Sequence, residues 1–321
     1  KRCCPIIFLF LLFRHFTREK ERGHQQIQGP LTNSQLKLNE LYINKEDNLT
    51  PKYIFDSFIV GPFNELAHAA AQAVLKNLGT TYNPLYIYGG TGLGKTHLLQ
   101  SMGNYVKNIA NKKVFYLTSD KYISELVESI RTNSVHIFKD KYKKYDLLIM
   151  DDIQIFSGKD KCQEELFHLF NSLYENNKQV VFSSDKPARQ ITNIEDRLKS
   201  RFEGGMIIEI SKPEYESRVA ILRSKLKMTG SYLPDETIEY IATNILDNIR
   251  ELEGVLNTII CQSQLKNKEL NIGEVKQLIK NSSKQRKTVS IKDVVKAVCE
   301  FYNIEEKSLY EKTRRKEVVK P

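Results

Sequence analysis

Hydrophobic and polar positions form two successive patterns along this chain of 321 residues. From Tyr53 onward, apolar runs of four to six residues alternate with amphipathic stretches of 12 to 18 residues. Short buried strands that alternate with helices are typical of βαβ units, in which helices cover a parallel sheet. The runs predicted as strands are residues 85–88, 114–117, 147–150, 180–182 and 207–210.

After Pro213 the pattern becomes wholly helical. Apolar positions recur at helical spacing, which predicts a small bundle that follows the sheet. The helices predicted for this bundle are residues 215–228, 235–246, 250–264 and 272–280. Residues 284–288 are predicted as a linker, and a helix over residues 291–302 opens a further all-α unit.

The first 48 residues follow neither pattern. Residues 6–13 are apolar, but a helix needs about 20 apolar residues to span a bilayer. The charge order fits a signal peptide, yet no small-residue cleavage site follows. We therefore expect a non-native start rather than a targeting segment. Residues 17–48, rich in Gln, Asn, Glu and Lys, are predicted to be a linker.

Composition narrows the class of protein. With 27% charged residues, no Trp and a mean hydropathy of −0.43, the chain is typical of a globular protein in water. The five cysteines are odd in number and have no CxxC spacing. This excludes a disulfide-stapled miniprotein and does not indicate a zinc site. The sequence therefore predicts a reducing, cytoplasmic location.

The net charge of +10 lies mainly at the two ends of the chain. Residues 1–24 carry six Lys or Arg against two Glu, and residues 284–321 carry 11 Lys or Arg against six Asp or Glu. The central body is nearly neutral, so any affinity for polyanions there depends on local arrangement. The basic C-terminal arm fits either a nucleic-acid contact or a solvated tail.

A phosphate-binding loop is the strongest chemical motif. Residues 89–96, Gly-Gly-Thr-Gly-Leu-Gly-Lys-Thr, match GxxxxGK[ST] between a predicted strand and a predicted helix. Glycines let backbone N–H groups point toward phosphate oxygens, and the helix start adds its positive end. Lys95 is expected to reach the β- and γ-phosphates, and the Thr96 hydroxyl is expected to ligate Mg²⁺. The cradle glycines are Gly89, Gly92 and Gly94.

Acidic residues end two of the predicted strands. The apolar run 147–150 leads into Asp151 and Asp152, and carboxyl ends of parallel strands are where open α/β sheets bind ligands. Asp151 is predicted to hold Mg²⁺, mostly through water, and Asp152 to polarise an attacking water. Asp185 follows the strand 180–182; it fits either a group that senses the γ-phosphate or a simple turn.

Three arginines are candidates for contacts with a nucleotide. Arg197 and Arg201 are four residues apart, so a helix would put them on one face. They fit either a solvated surface or arginine fingers that serve a neighbouring subunit. Arg250 lies near the start of a helix that Asn248 is predicted to cap. It fits either a residue that closes on the nucleotide or a surface arginine paired with a glutamate.

Together these motifs resemble the DnaA family of bacterial replication initiators, which are AAA+ ATPases. The resemblance lies in residues 51–61, in 82–88 leading into the phosphate loop, and in 151–154, 196–202 and 248–257. It implies an α/β P-loop AAA+ domain with a five-stranded parallel sheet, a small helical lid and the start of an all-α C-terminal domain. The implied divisions are residues 1–47, 48–213, 214–283 and 284–321.

The resemblance also implies roles for particular residues. ATP, exchanged with ADP and held with Mg²⁺, would switch assembly, with Arg201 of one protomer on the γ-phosphate of the next and Arg197 supporting that contact. Asp185 matches the family's first sensor and Arg250 its second. A helical insertion falls on residues 121–145. The positions that match single-strand DNA contacts are Val127, Lys159 and Lys161. Implied partners are origin DNA, other copies of the chain, the replicative helicase or its loader, and acidic phospholipids.

Departures from the family pattern limit these expectations. Residues 1–47 do not match the family's helicase-recruiting domain, and the chain stops at Pro321 inside the first part of a helix-turn-helix domain. We therefore expect a fragment that binds ATP without recognising origin sequence. Asp152 is shorter than the Glu of many AAA+ motors, which predicts slow hydrolysis. The alternatives are a helicase loader of the DnaC type, a small-molecule kinase, and a remnant that binds no ATP.

Overall fold

The computed structural model describes residue 44, residues 46–282 and residues 291–302. Its five strands are Leu85–Tyr88 (β1), Val114–Thr118 (β2), Leu147–Asp151 (β3), Gln179–Ser184 (β4) and Met206–Glu209 (β5). The helices before β5 are Glu65–Lys76 (α1), Lys95–Asn108 (α2), Ser119–Arg131 (α3), Val135–Lys143 (α4), Asp160–Glu175 (α5) and Asp196–Glu203 (α6). Those after it are Tyr215–Thr229 (α7), Asp235–Asn244 (α8), Ile249–Lys266 (α9), Ile272–Ser282 (α10) and Ile291–Tyr302 (α11).

The strands form one parallel sheet in the order β2-β3-β4-β1-β5. The five predicted strands and the α/β fold are therefore confirmed. Parallel pairing brings the carboxyl ends of β1, β3 and β4 to one edge, where Tyr88 lies opposite Ser184 and Met150 opposite Phe182. The acidic residues that follow β3 and β4 consequently lie beside the phosphate loop that follows β1.

Alternate side chains of β1 to β4 enter two separate cores. Leu85, Ile87 and Ile149 pack with α1, α2 and the helices after Pro213, whereas Tyr86 and Met150 pack with α3, α4, α5 and α6. A sheet covered on both faces needs apolar residues at every strand position. This is why the strands are uninterrupted apolar runs in the sequence.

A short segment that the sequence assigns to a linker belongs to the sheet domain. The Tyr116 backbone N–H donates to the Asp47 carbonyl at 2.9 Å, and the Asn48 side-chain amide donates to the Tyr116 carbonyl at 2.9 Å. Leu49 then packs over Gly103, where an added Cβ would lie 2.6 Å from the leucine side chain. Residues 46–48 therefore cover the free edge of β2, and the predicted linker 17–48 is wrong at this end.

The helical region departs from prediction in small ways. Helix α8 ends at Asn244, two residues earlier than predicted, because buried Ile245 takes an extended conformation with φ −106° and ψ 101°. Helix α9 begins at Ile249, one residue before the predicted start, and has the predicted cap, with the Asn248 side chain accepting from the Glu251 amide at 2.6 Å. Ile249 is half-buried and faces the phosphate loop, where a Cβ on Gly94 would lie 3.9 Å from its Cδ1.

The implied insertion, residues 121–145, is occupied mainly by α3 and α4. The described residues belong to one compact unit, so a domain boundary between residues 213 and 214 stays a prediction. Residues 1–43, the linker 284–288 and the chain after Tyr302 lie outside the described residues. Within the described ranges, no helix is both long and apolar enough to span a bilayer.

Candidate functional site

The phosphate loop depends on glycine for its shape. Gly92 and Gly94 have φ of 78° and 94°, in the left-handed region that glycine adopts without strain. The Gly92 carbonyl accepts from the Ile249 and Arg250 amides at 3.0 and 3.3 Å. A Cβ on Gly92 would lie 3.0 Å from the Asn248 side-chain oxygen. The loop is therefore in direct contact with the first turn of α9.

Lys95 lies inside the loop that precedes it. Its Nζ donates to the carbonyl oxygens of Gly89 at 2.6 Å and Gly90 at 3.0 Å, and the residue is 7% exposed. Burial lowers the pKa of this amine, and the nearby Asp151 and Asp152 carboxylates oppose that shift. The loop thus holds one ammonium group that donates to two of its carbonyl oxygens. The oxygens of a bound anion could replace these carbonyls as acceptors.

Thr96 and Asp151 meet, as the sequence predicts. Asp151 Oδ2 accepts from the Thr96 hydroxyl at 2.7 Å and from the Tyr116 hydroxyl at 2.7 Å, and Oδ1 accepts from the Ser183 hydroxyl. The aspartate is 2% exposed. Burial and the carboxylate raise the pKa of Tyr116 far above its usual value. Three hydroxyl donors therefore satisfy a buried charge, which would otherwise be costly.

Sequence reasoning missed Tyr116 and Ser183 as partners of Asp151. Tyr116 is one residue of an apolar strand, and no motif distinguishes it from a core tyrosine. Ser183 follows an apolar run beside Asp185, and only the parallel register of β3 and β4 brings its hydroxyl to Asp151.

Gln154 links the Asp152 carboxylate to the backbone of Asp185. Its side-chain amide donates to Asp152 Oδ1 at 3.0 Å, and its oxygen accepts from the Asp185 amide at 3.3 Å. Asp152 itself has φ 61° and ψ 50°, an uncommon conformation for a residue other than glycine. Asp185 is exposed and Asp152 is half-buried. Gln154 belongs to the family motif of residues 151–154, but its position between Asp152 and Asp185 could not be predicted from the sequence.

A cavity of about 260 Å³ lies beside the phosphate loop. Its walls come from the loop and the start of α2, from the segment before α1, and from α7 and α9. Arg250 and Asp152 line it, as do Lys225 and Glu253, which form an ion pair at 2.9 Å. Arg250 is exposed and forms no ion pair within the described part of the chain. Arg250 therefore borders the cavity from the start of α9, and its closing on a nucleotide stays a prediction.

The segment of residues 52–59, here called the strap, borders the same cavity. His97 Nε2 lies 3.1 Å from the Ser57 hydroxyl and 3.2 Å from the Ile54 carbonyl oxygen. Its ring lies 5.0 Å from the Tyr53 ring and 5.3 Å from the Phe58 ring, between centroids. Burial lowers the pKa of His97 to about 4. Sequence reasoning missed the strap and His97 as site residues. The strap lies within the family motif of residues 51–61, and His97 directly follows the phosphate loop.

Arg197 and Arg201 do not line the cavity. Both are exposed on α6, as the four-residue spacing predicts, and both lie over the ring of Phe167 on α5. Arg197 Nε also donates to Glu195. Neither guanidinium lines the cavity beside the phosphate loop of its own chain.

The predicted DNA-contacting residues lie on two different helices. Val127 is 39% exposed on α3. Lys159 is half-buried immediately before α5, and Lys161 is exposed in the first turn of α5. Neither lysine forms an ion pair within the described ranges, so both charges face solvent or a ligand.

Comparison with known proteins agrees with this geometry. Residues 49–209 match the family model described as the bacterial DnaA ATPase domain. The chain belongs to the DnaA family. It is 44% identical over 273 residues to the chromosomal replication initiator protein DnaA of Nautilia profundicola, an alignment covering 84% of this chain and 62% of that protein. The chain thus spans less than two thirds of that DnaA.

Two solved DnaA structures extend the comparison. Domain III of the Thermotoga maritima replication initiation protein DnaA is 41% identical with a TM-score of 0.71, over 74% of this chain and 99% of that one. A replication initiator DnaA bound to AMPPCP and single-stranded DNA is 36% identical with a TM-score of 0.66, over 85% and 80%. The predicted DnaA resemblance is confirmed.

Proposed function

We propose that this chain binds ATP in the cavity beside the phosphate loop and that ATP switches its assembly with other copies during initiation of DNA replication. One observation carries the proposal. Lys95, Asp152 and Arg250 surround a single cavity, whereas Arg201, the predicted trans-acting arginine, does not line it. A site divided in this way is complete only when a second copy supplies Arg201.

The loop and the strap suit the two ends of a nucleotide. Backbone N–H groups of residues 89–94 and the start of α2 favour phosphate oxygens. Lys95 would exchange its two carbonyl acceptors for β- and γ-phosphate oxygens. The aromatic and apolar strap residues Tyr53, Phe58 and Ile59 border the cavity and suit a nucleobase. The DnaA bound to AMPPCP supports adenine nucleotide as the ligand.

Thr96 and Asp151 fit a Mg²⁺ ion. Both offer hard oxygen atoms, which lie 2.7 Å apart where β3 ends and α2 begins. The Thr96 hydroxyl would ligate directly and Asp151 mainly through water. Mg²⁺ would neutralise charge on the β- and γ-phosphates. The described residues contain no cluster of three or more His, Cys, Asp or Glu that could hold a metal, so nucleotide and water would supply the other ligands.

Hydrolysis is expected to be slow. Asp152 is the residue proposed to polarise the attacking water, and Gln154 already donates to it at 3.0 Å. A carboxylate held by an amide in this way has less freedom to reach water. Asp185, joined to the same glutamine, would sense the γ-phosphate, and Arg250 would close the lid on it. ATP would therefore act as a switch rather than as a rapidly consumed substrate.

Assembly would also supply affinity for single-stranded DNA. Val127, Lys159 and Lys161 give each copy one exposed apolar residue and two basic ones, which is modest for a polyanion. Several copies along one strand would multiply that affinity. The DnaA bound to single-stranded DNA supports DNA as the partner.

Family membership leaves a DnaC-type loader with less support than an initiator, and no specific observation favours the kinase. The cytoplasmic location, the helicase or loader contact and the binding of acidic phospholipids remain predictions.

Light scattering of the 321-residue chain tests the proposal. The chain is measured with ATP or ADP, with and without single-stranded DNA, beside the Arg201→Ala variant. We expect ATP and DNA together to drive assembly that neither ADP nor the variant supports. A chain that binds ATP and stays monomeric under every condition would contradict the switch.

A further inference from the structure

Two arginines of α6 share one aromatic ring on α5. The guanidinium carbon of Arg197 lies 4.8 Å from the centroid of Phe167, and that of Arg201 lies 5.8 Å from it. Cations within about 6 Å of a ring centroid are attracted by the ring's negative face. One phenylalanine therefore contacts both residues of the predicted inter-subunit pair.

The two arginines differ in their other contacts. Arg197 donates to Glu195, so its guanidinium has a carboxylate partner. The Arg201 side chain makes no hydrogen bond or ion pair within the described ranges. Its guanidinium lies over the Phe167 ring. The ring is consequently what distinguishes the position of Arg201 from that of a freely moving surface arginine.

The ring itself is firmly anchored. Phe167 is half-buried and packs against the core cluster that contains Leu166, Phe170 and Phe202. It lies in the interior of the 16-residue helix α5, and it does not line the nucleotide-loop cavity. Its substitution should therefore leave the binding of ATP by its own chain unchanged.

We propose that Phe167 is a positioning residue that holds the Arg201 guanidinium ready for the phosphate of a neighbouring copy. The inference rests on the proposed function, in which Arg201 acts in trans. A guanidinium that lies over a ring keeps its in-plane N–H donors free for phosphate oxygens. Holding it there also reduces the side-chain entropy that is lost when the contact forms.

Matched substitutions separate the ring from its volume. Phe167→Leu keeps an apolar side chain in the core but removes the aromatic face, whereas Phe167→Tyr keeps both. We expect Leu to raise the protein concentration needed for ATP-dependent assembly about three- to fivefold, and Tyr to restore the parent value. ATP affinity and thermal midpoint, measured on the same samples, report on the nucleotide site and on folding. Equal assembly by the Leu and Tyr variants would overturn the inference.

Mixing experiments test the direction of the contact. A Lys95→Ala chain cannot hold ATP but still offers Arg201, so Phe167→Leu mixed with it acts only as the nucleotide-bearing partner and should assemble as the parent does. An Arg201→Ala chain holds ATP but offers no arginine, so Phe167→Leu mixed with it must supply the arginine and should assemble poorly. A general loss of folding would weaken both mixtures, which would contradict a positioning role.

The ring contact can also be measured without assembly. In nucleotide-free protomers, the Arg201 δ-methylene proton resonances, assigned by comparison with Arg201→Ala, should be shifted upfield by the ring in the parent and in Phe167→Tyr but not in Phe167→Leu. Unshifted resonances in the parent would overturn the inference alone. Normal assembly by Arg201→Ala would overturn the proposed function instead, so the two failures are distinguishable.

Discussion

The two halves of the proposed nucleotide site are built in opposite ways. Asp151 is 2% exposed and accepts from three hydroxyl groups, and Lys95 is 7% exposed inside its loop. Arg201, by contrast, is exposed and rests on one aromatic ring. A group enclosed by hydrogen bonds is fixed by folding, whereas an exposed cation acquires its strong partner only when another molecule arrives. We therefore expect the first half to bind ATP in a monomer and the second half to act only in an assembly.

Substitution of Lys95 should give the largest effect and separates the halves most sharply. Lys95→Ala removes the ammonium from the phosphate loop, and we expect ATP affinity to fall by about 100-fold or more because a charge-assisted contact to phosphate is lost. Arg201→Ala should leave ATP affinity within about twofold of the parent, since it does not line the cavity. Titration with a fluorescent ATP analogue measures both, and Lys112→Ala, a change at an exposed lysine, is the control. Equal losses in the Lys95 and Arg201 variants would erase the distinction.

Acid should weaken the enclosed half next. The pKa of His97 is lowered from 6.5 to about 4 by burial, with Lys225 and Lys52 adding to the shift and the Ile54 carbonyl and Glu253 opposing it. The folded state therefore takes up a proton at lower pH than the unfolded state. Stability is retained above about pH 6.5, falls as the pH drops, and the loss is complete below about pH 4, amounting to about 3 kcal/mol.

Urea unfolding at pH 7.5, 6 and 5 measures the first part of this loss, which is about 2 kcal/mol at pH 5. His97→Gln keeps a side chain that can bond to Ser57 but cannot titrate, so its unfolding free energy should depend less on pH by the same amount. A variant with the full pH dependence of the parent would contradict the role of His97.

Contact between the phosphate loop and α9 should have an intermediate effect. Gly92 and Gly158 have φ of 78° and 70°, but a Cβ on Gly92 would meet Asn248 at 3.0 Å, whereas a Cβ on Gly158 would meet nothing within 4 Å. Both Ala variants bear similar backbone strain. Only Gly92→Ala should also loosen the cavity, with ATP affinity lowered by about tenfold. Calorimetric titration of both variants tests this, and equal affinities would remove α9 from the enclosed half.

Motifs predicted the enclosed half better than its surroundings. The sheet followed from uninterrupted apolar runs, and Lys95, Thr96 and Asp151 followed from short local patterns. The hydroxyl of Tyr116 reaches Asp151 across 35 residues of sequence, and His97 meets Ser57 across 40. Such contacts depend on strand order and helix packing rather than on neighbouring residues. Phe167 illustrates the same limit: a half-buried aromatic at helical spacing has the pattern of a core residue, and only α6 packed beside it reveals two arginines over its face.

The smallest expected effect concerns DNA and extends the comparison to a third surface. Lys159 is half-buried and Lys161 is exposed. Neither forms an ion pair in the described ranges, so each resembles Arg201 in being able to bind an incoming anion. Lys161→Ala should weaken single-stranded DNA binding by about threefold. It should also lower the slope of log affinity against log salt by about 0.7, because the loss of one phosphate contact reduces the number of counterions released on binding. Fluorescence anisotropy at several salt concentrations measures both, with Lys227→Ala on α7 as the control. An unchanged slope would mean that Lys161 is only solvated and contacts no phosphate of the DNA. Its lack of an ion pair would then differ in meaning from that of Arg201.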